Sequence, residues 1–109
     1  VLSAASTTVP KATFHMPFAM TVTSVKAGLT TAGTGAALVT VDIHDAGITI
    51  LSTKITIDAT EKTSATAATQ PVLSDTALAA DALIELFLDV RDTDNVATGL
   101  KCYIIGNLV

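Results

Sequence analysis

The most informative part of this chain is residues 26–64, which read KAGLTTAGTGAALVTVDIHDAGITILSTKITIDATEKTS. Apolar and polar side chains alternate along this segment, and Gly, Asp and Thr residues separate the alternating runs. A repeat of two is typical of β-strands that bury one face, because successive side chains of a strand point to opposite sides. The segment therefore predicts several short, half-buried strands joined by turns.

Two segments give the clearest strand predictions. Val39, Val41 and Ile43 lie on one face of segment 37–44, and polar residues occupy most of the other face. Segment 82–90 repeats this pattern, with an isoleucine, leucine or valine at every even position from 84 to 90. Because such alternation buries one side of a strand, we expect these apolar faces to form the core.

Turns and breaks are predicted where the alternation stops or changes phase. Asp45, Ala46 and Gly47 predict a hairpin turn, since glycine readily adopts the positive φ that tight hairpin turns require. The phase changes near Ser52, which predicts that the strand breaks there and turns a corner between sheets. A further phase change predicts a β-bulge near Thr23–Ser24.

The length of 109 residues fits one domain. Residues 1–11 are mostly small and polar, with a proline at position 10, so we predict a flexible or extended N-terminal arm. Residues 12–109 are predicted to form a single β-sandwich domain. Within it, segment 59–81 is the least regular, and we expect a loop there, with one helical turn at 74–81 as the alternative.

Composition argues against several classes of partner. The formal net charge is −4, and the six basic residues are scattered along the chain, whereas nucleic-acid binding needs a clustered basic face. No apolar run approaches the roughly 20 residues that span a bilayer, and no basic amphipathic segment is present. We therefore expect neither a nucleic acid nor a membrane as partner.

The number and spacing of the strands predict an all-β fold, an antiparallel β-sandwich. A jelly-roll-like arrangement is our leading interpretation, and an immunoglobulin-like Greek key is the alternative. The chain has one cysteine and no tryptophan, so the Cys, Trp and Cys core of antibody domains is missing.

The last two predicted strands permit a prediction of register. If they form an antiparallel hairpin with both apolar faces buried together, one register places Phe87 opposite Tyr103 on the outer face. The same register places Asp89 opposite Lys101. An aromatic pair and an ion pair that coincide support this register.

The outer face of that hairpin would be unusually apolar for a surface in contact with water. Exposed apolar patches often mark interfaces, so we predict a subunit contact there. The candidate subunit interface consists of Leu83, Phe87, Tyr103 and Ile105.

Four other groups of residues have some features of a catalytic or metal-binding site. They are the loop Asp92-Thr93-Asp94-Asn95, the hairpin group Asp42, His44 and Asp45, the pair Glu85 and Asp89, and the lone Cys102. The loop lacks the glycine and distal glutamate of an EF-hand, and no recognised nucleophile or phosphate motif occurs. We therefore interpret these groups as structural and expect no catalysis, no cofactor and no bound metal.

Residues 26–90, together with GLKCYIIG at 99–106, resemble a module of tailed-bacteriophage structural proteins. Those proteins include tail-fibre or appendage proteins and head-associated proteins. The similarity lies in the pattern of strands and turns and covers nearly all of the chain except its arm. The resemblance implies a β-sandwich of a kind that often assembles as a trimer on a virion.

Together, these observations predict a non-enzymatic structural protein of a bacteriophage virion. It would act as a capsid decoration protein or a fibre or appendage subunit, through self-association and attachment to major capsid or tail proteins. The alternative is a receptor-binding module for host surface glycans, in which Phe14, Phe18 or Tyr103 would stack on a sugar.

Overall fold

The computed structural model describes residues 1–109, and β-strands dominate it. The ten strands are β1 (Ala12–His15), β2 (Met20–Gly28), β3 (Val39–Asp45), β4 (Ile48–Thr49), β5 (Leu51–Thr53), β6 (Ile55–Ile57), β7 (Val72–Leu73), β8 (Ala77–Leu78), β9 (Leu83–Val90) and β10 (Lys101–Leu108). A single turn of 3₁₀ helix, Ser64–Thr66, is the only helical element.

The strands form two main antiparallel sheets. Sheet A has the order β1-β9-β3-β4, and β6 also pairs with β3, alongside β4. Sheet B has the order β10-β2-β8, and β5 and β7 form a small separate pair. The predicted all-β antiparallel sandwich is thus confirmed, whereas the choice between the jelly-roll and Greek-key paths stays a prediction.

The core lies between the sheets and uses the alternating residues of the central strands. Ile43, Ile55 and Ile84 of sheet A are fully buried, and Val22 and Val25 of sheet B pack into the same cluster. The buried faces predicted for β3 and for most of β9 are therefore confirmed. Each fully buried aliphatic side chain contributes about 1.5–3 kcal/mol of transfer free energy.

Val90 departs from the buried phase that its even position predicts. Thr40 pairs with Val90 but Val41 pairs with Leu88, so Asp89 is an extra residue on β9. A bulge of this kind shifts the alternation by one residue. Val90 consequently ends on the surface.

The predicted turn and the β2 bulge are confirmed. Ala46 and Gly47 both have positive φ, 52° and 84°, as a tight hairpin turn between β3 and β4 requires. In sheet B, Ile105 pairs with Ser24 and Gly106 pairs with Val22, which leaves Thr23 as the extra residue.

The break near Ser52 is present, but it does not carry the chain into the opposite main sheet. Residues 51–53 leave sheet A and pair with β7, and β6 then returns to β3. The excursion buries Ile50 and Leu51 in the core.

Segment 74–81 contains the short strand β8 where one helical turn was the alternative prediction. Asp75, just before β8, accepts a hydrogen bond from the N–H of Ala77.

The predicted hairpin between the last two long strands is wrong. β9 lies between β1 and β3 in sheet A, whereas β10 pairs with β2 in sheet B. The connection 91–100 crosses from one sheet to the other, so the two strands face each other across the core. Phe87 therefore does not pair with Tyr103, and Asp89 does not meet Lys101.

Residues 1–11, predicted as a flexible or extended arm, lie along the domain. Leu2 is buried in the core, and its N–H donates to the carbonyl of Ala97. The guanidinium of Arg91 donates to the carbonyl of Leu2 at 2.9 Å, and the N–H of Ser6 donates to the carbonyl of Leu88. The arm thus extends the contacts of β1 along β9.

Candidate functional site

One side of the sandwich is open, along a line between β1 and β10 that we call the seam. β1 is the edge strand of sheet A, and β10 is the edge strand of sheet B. All four residues of β1 are exposed, so no strand of sheet B covers the inner side of β1. Sheet A therefore projects beyond sheet B at the seam.

Two apolar cavities open along the seam. The larger has a volume of about 460 Å³, and nine of its 11 lining residues are hydrophobic. The smaller has a volume of about 240 Å³, and seven of its eight lining residues are hydrophobic. Leu86 of β9 and Cys102 of β10 line both, so the cavities form one continuous apolar groove between the sheets.

The ends of the groove are formed by the arm and by the segment after β1. Val1 and Leu2 line the larger cavity, together with Leu100. Phe14 and Phe18 line the smaller cavity. Both phenylalanines are exposed, although aromatic side chains of this size usually gain stability from burial.

The structure separates the four residues predicted as a subunit interface. Tyr103 and Ile105 lie on β10, with exposed fractions of 50% and 42%. Leu83 lies on β9 in the other sheet and is 39% exposed. Phe87 is 5% exposed, so its predicted outward exposure is wrong. The four residues therefore do not form the continuous outer face that the hairpin model predicted.

Phe87 is buried because a polar cluster covers the outer face of sheet A. Its ring lies 4.4 Å from the ring of His44 (centroid to centroid), which is on the neighbouring strand. His44 Nε2 lies 3.0 Å from Asp42 Oδ2, and Asp42 Oδ1 accepts from the hydroxyl of Thr49 at 2.5 Å. Sequence analysis predicted this face for Asp42 and His44 but not its burial.

Lys54 completes this polar cluster. Its Nζ hydrogen-bonds Asp89 Oδ2 and lies 3.7 Å from Asp42 Oδ2. The hydrogen bond to Asp89 raises the pKa of Lys54 above its ordinary value, and this effect outweighs the desolvation that lowers it. Because Lys54 neutralises two buried carboxylates, the cluster has the character of a structural ion-pair network. Glu85 lies opposite His44, so Glu85 and Asp89 share the same covered face.

The loop Asp92-Thr93-Asp94-Asn95 fastens the crossover between the sheets. Asp92 Oδ2 accepts from the N–H groups of Val96 and Ala97, and Asp94 Oδ1 accepts from those of Thr34 and Gly35. Burial raises the pKa of Asp92, but the amide hydrogen bonds together outweigh it, so the net pKa is lowered. A carboxylate that accepts hydrogen bonds from several backbone N–H groups holds a loop in one conformation.

The remaining candidates are single groups. Cys102 faces the apolar groove, and burial raises the pKa of its thiol to about 11. His15 Nδ1 lies 3.0 Å from the carbonyl oxygen of Asp81, near the chain surface.

The chain contains no group of three or more His, Cys, Asp or Glu side chains placed to bind one metal ion. The structure contains no helix that could cross a membrane.

Sequence analysis missed the seam as a site. It identified Phe14 and Phe18 only as sugar-stacking candidates, and it assigned Cys102 to the buried face of the last strand. Pro17, which follows β1, indicates an edge strand, but it does not show which strand lies across from that edge. The partner across the groove was hidden because the two long C-terminal strands were paired with each other.

Comparison with known proteins adds no relative: no protein-family model, curated protein or solved structure matches this chain.

Proposed function

We propose that this chain is a non-enzymatic structural subunit of a tailed-bacteriophage virion, a capsid decoration protein or a fibre or appendage subunit. In this proposal it works by self-association and by attachment to other virion proteins. The observation that carries the proposal is the apolar seam, where two cavities and two unpaired strand edges meet. The virion context comes from the sequence resemblance.

The seam favours assembly because it combines the two features that drive association of β-proteins. Its cavities offer apolar surface whose burial is favourable, and its strand edges offer unpaired backbone N–H and C=O groups. Seven of the 13 exposed large hydrophobic residues lie on β1 or β10, directly follow β10, or line a cavity of the seam. They are Val1, Phe14, Phe18, Tyr103, Ile105, Leu108 and Val109.

Binding of host glycans is the alternative function, and Phe14 and Phe18 are the residues that favour it. Sugar sites need both an aromatic platform and polar groups that hydrogen-bond the hydroxyls. The cavity beside these phenylalanines has seven hydrophobic residues among its eight. The seam therefore supports a protein contact better than a sugar contact. Saturable binding on a glycan array, lost on Phe18→Ala or Tyr103→Ala, would reverse this ranking.

Sedimentation equilibrium of the whole chain over a range of concentrations tests the proposal. We expect a defined oligomer, a trimer by the resemblance, at micromolar concentrations. An antibody against the chain should then label phage particles at a regular position in electron micrographs. A chain that remains monomeric at millimolar concentration and labels no particle would refute the proposal.

A further inference from the structure

We infer that neighbouring copies join at the seam by adding β1 of one copy to the free edge of β10 of the next. This inference depends on the proposed self-association and names its surface and its partner, a second copy of this chain. It follows from the shape of the seam, the direction of its strands and the size of the contact.

The shape of the seam is a step one strand wide. β10 faces β9 across the core, because Cys102 and Leu86 line the same two cavities. β1 lies one strand beyond β9, so the position opposite β1 in sheet B is empty. Adjacent strands of a sheet lie about 4.8 Å apart and packed sheets about 10 Å apart, so this space fits one added strand.

Among the strands of a second copy, β1 fits this space better than β10 does. A neighbouring β10 would bring its own β9 above it, and that β9 would collide with β1 of the first copy. A neighbouring β1 has an uncovered inner side, as the first β1 does. Placing the neighbour's β1 beside β10 covers both projecting strands at once.

The direction of the strands agrees with this arrangement. Ala12 and Leu100 line the larger cavity, whereas Phe14 and Ile104 line the smaller one. β1 and β10 therefore run the same way along the seam. A rotation axis parallel to the strands preserves direction, so β10 and the neighbour's β1 would pair in parallel.

The area of the seam is sufficient for a stable contact. The eight residues of β10 extend for about 26 Å, at about 3.3 Å per residue. With two packed sheets and their side chains about 20 Å thick, the flat seam covers about 500 Å² on each copy, and the cavity walls add to it. The total buried area thus exceeds the roughly 1,000 Å² expected of a biological interface.

The seam strands also lack the charges that usually keep strand edges apart. β1 reads ATFH, with no acidic or lysine residue, and β10 reads KCYIIGNL, with one lysine at its first position. Natural edge strands are commonly protected by central charges or proline, and neither occurs within β1 or in the middle of β10. The edges are therefore suited to pairing with another copy.

A cysteine-pairing experiment tests the inference. Cys102→Ser removes the native thiol, and Thr13→Cys on β1 is combined with either Tyr103→Cys or Ile105→Cys on β10. Within one copy these positions lie on the outer faces of opposite sheets, beyond the roughly 7 Å between Cα atoms that a disulfide allows. A disulfide in these variants must therefore join two copies. Thr13→Cys with Ile48→Cys, on the far edge of sheet A, is the matched control.

We expect at least one of the β1–β10 pairs to form covalent dimers or trimers under mild oxidation, with at least tenfold higher yield than the control. In the unmodified chain, hydrogen exchange should slow in β10 on assembly. Equal yields in pair and control, or β10 amides that stay unprotected in an oligomer, would overturn this placement and leave the proposed function intact. A monomer by sedimentation would overturn both.

Discussion

Lys54 and Asp89 form an ion pair across β3 on the outer face of sheet A, where Lys54 Nζ hydrogen-bonds Asp89 Oδ2. The same ammonium group lies 3.7 Å from Asp42 Oδ2. One half-exposed lysine thus neutralises two carboxylates whose side chains are almost completely buried. Buried charges are costly unless they are paired, so this contact has consequences for stability.

We predict that Lys54→Met destabilises the fold. The substitution leaves Asp42 and Asp89 without their cation, and we expect a loss of about 2–3 kcal/mol, since Lys54 is itself partly solvated. Because the pKa of Lys54 is raised in the fold, its contribution is fully present below its ordinary value of 10.5 and is lost at higher pH. Urea unfolding of both chains at pH 7 measures the loss, and the same comparison at about pH 11.5 measures how far the Lys54 contribution falls above 10.5.

The matched control is Lys26→Met, on the exposed face of β2, where the lysine makes no ion pair. It should change stability by less than about 0.5 kcal/mol. Equal effects of the two substitutions would show that the Lys54 cluster contributes nothing specific.

We predict that Asp92→Asn weakens the crossover in a pH-dependent way. The N–H groups of Val96 and Ala97 bond the ionised carboxylate more strongly than an amide oxygen, so we expect a loss of about 1–2 kcal/mol at pH 7. The lowered pKa of Asp92 means that its stabilisation is present above the unfolded value near pH 4 and is lost as pH falls further.

Thermal unfolding of the wild type and of Asp92→Asn from pH 7 to pH 2 tests this prediction. The difference between wild type and Asp92→Asn should be largest at pH 7 and should shrink below about pH 4. A difference that stays constant or grows on acidification would contradict the assigned role of the carboxylate.

We predict that Cys102 reacts slowly in the folded chain. Burial raises the pKa of its thiol from 9.0 to about 11, so the thiolate fraction at pH 8 falls about 100-fold, apart from any steric protection. Because the neutral thiol is favoured in the fold, this group also costs stability as pH rises from 9.0 towards about 11. Alkylation with iodoacetamide, with and without urea, gives the reaction rates of Cys102 in the unfolded and the folded chain. Comparable rates would place the thiol in solvent.

We predict that Leu2 fixes the arm to the domain. Leu2→Ala should cost about 2 kcal/mol, at the low end for a buried leucine because Leu2 lies at the margin of the core. Val9→Ala, in an exposed part of the arm, should change stability by less than about 0.5 kcal/mol. Chemical denaturation measures the free energy of unfolding of both variants and of the wild type. An unchanged midpoint for Leu2→Ala would mean that the arm does not contribute to the core.

The sequence predicts individual strands well where one face is apolar and the other polar. The alternation at Val39, Val41 and Ile43 correctly identified the buried face of β3, and Asp45 to Gly47 correctly identified its hairpin. These features depend on neighbours in the chain, and local patterns carry that information. They account for the fold class and for most of the core.

Local sequence patterns did not predict which strands pair with each other. Asp89 matches Lys101 by charge, but its actual partner is Lys54, which approaches from the far side of β3. A turn-rich connection such as 91–100 can close a hairpin or cross between sheets, and its composition is the same in either case. The seam exists only because the crossover occurs, so sequence analysis could not locate it.

The most direct measurement of self-association through the seam is sedimentation equilibrium of Ile105→Lys compared with Ile48→Lys. Both substitutions place a lysine at an exposed isoleucine, but Ile105 lies on β10 at the seam and Ile48 lies on β4 at the opposite edge of sheet A. We predict that Ile105→Lys weakens association at least tenfold, about 1.4 kcal/mol, while Ile48→Lys leaves it unchanged. Equal association of the two variants, or a wild-type chain that never associates, would contradict the account.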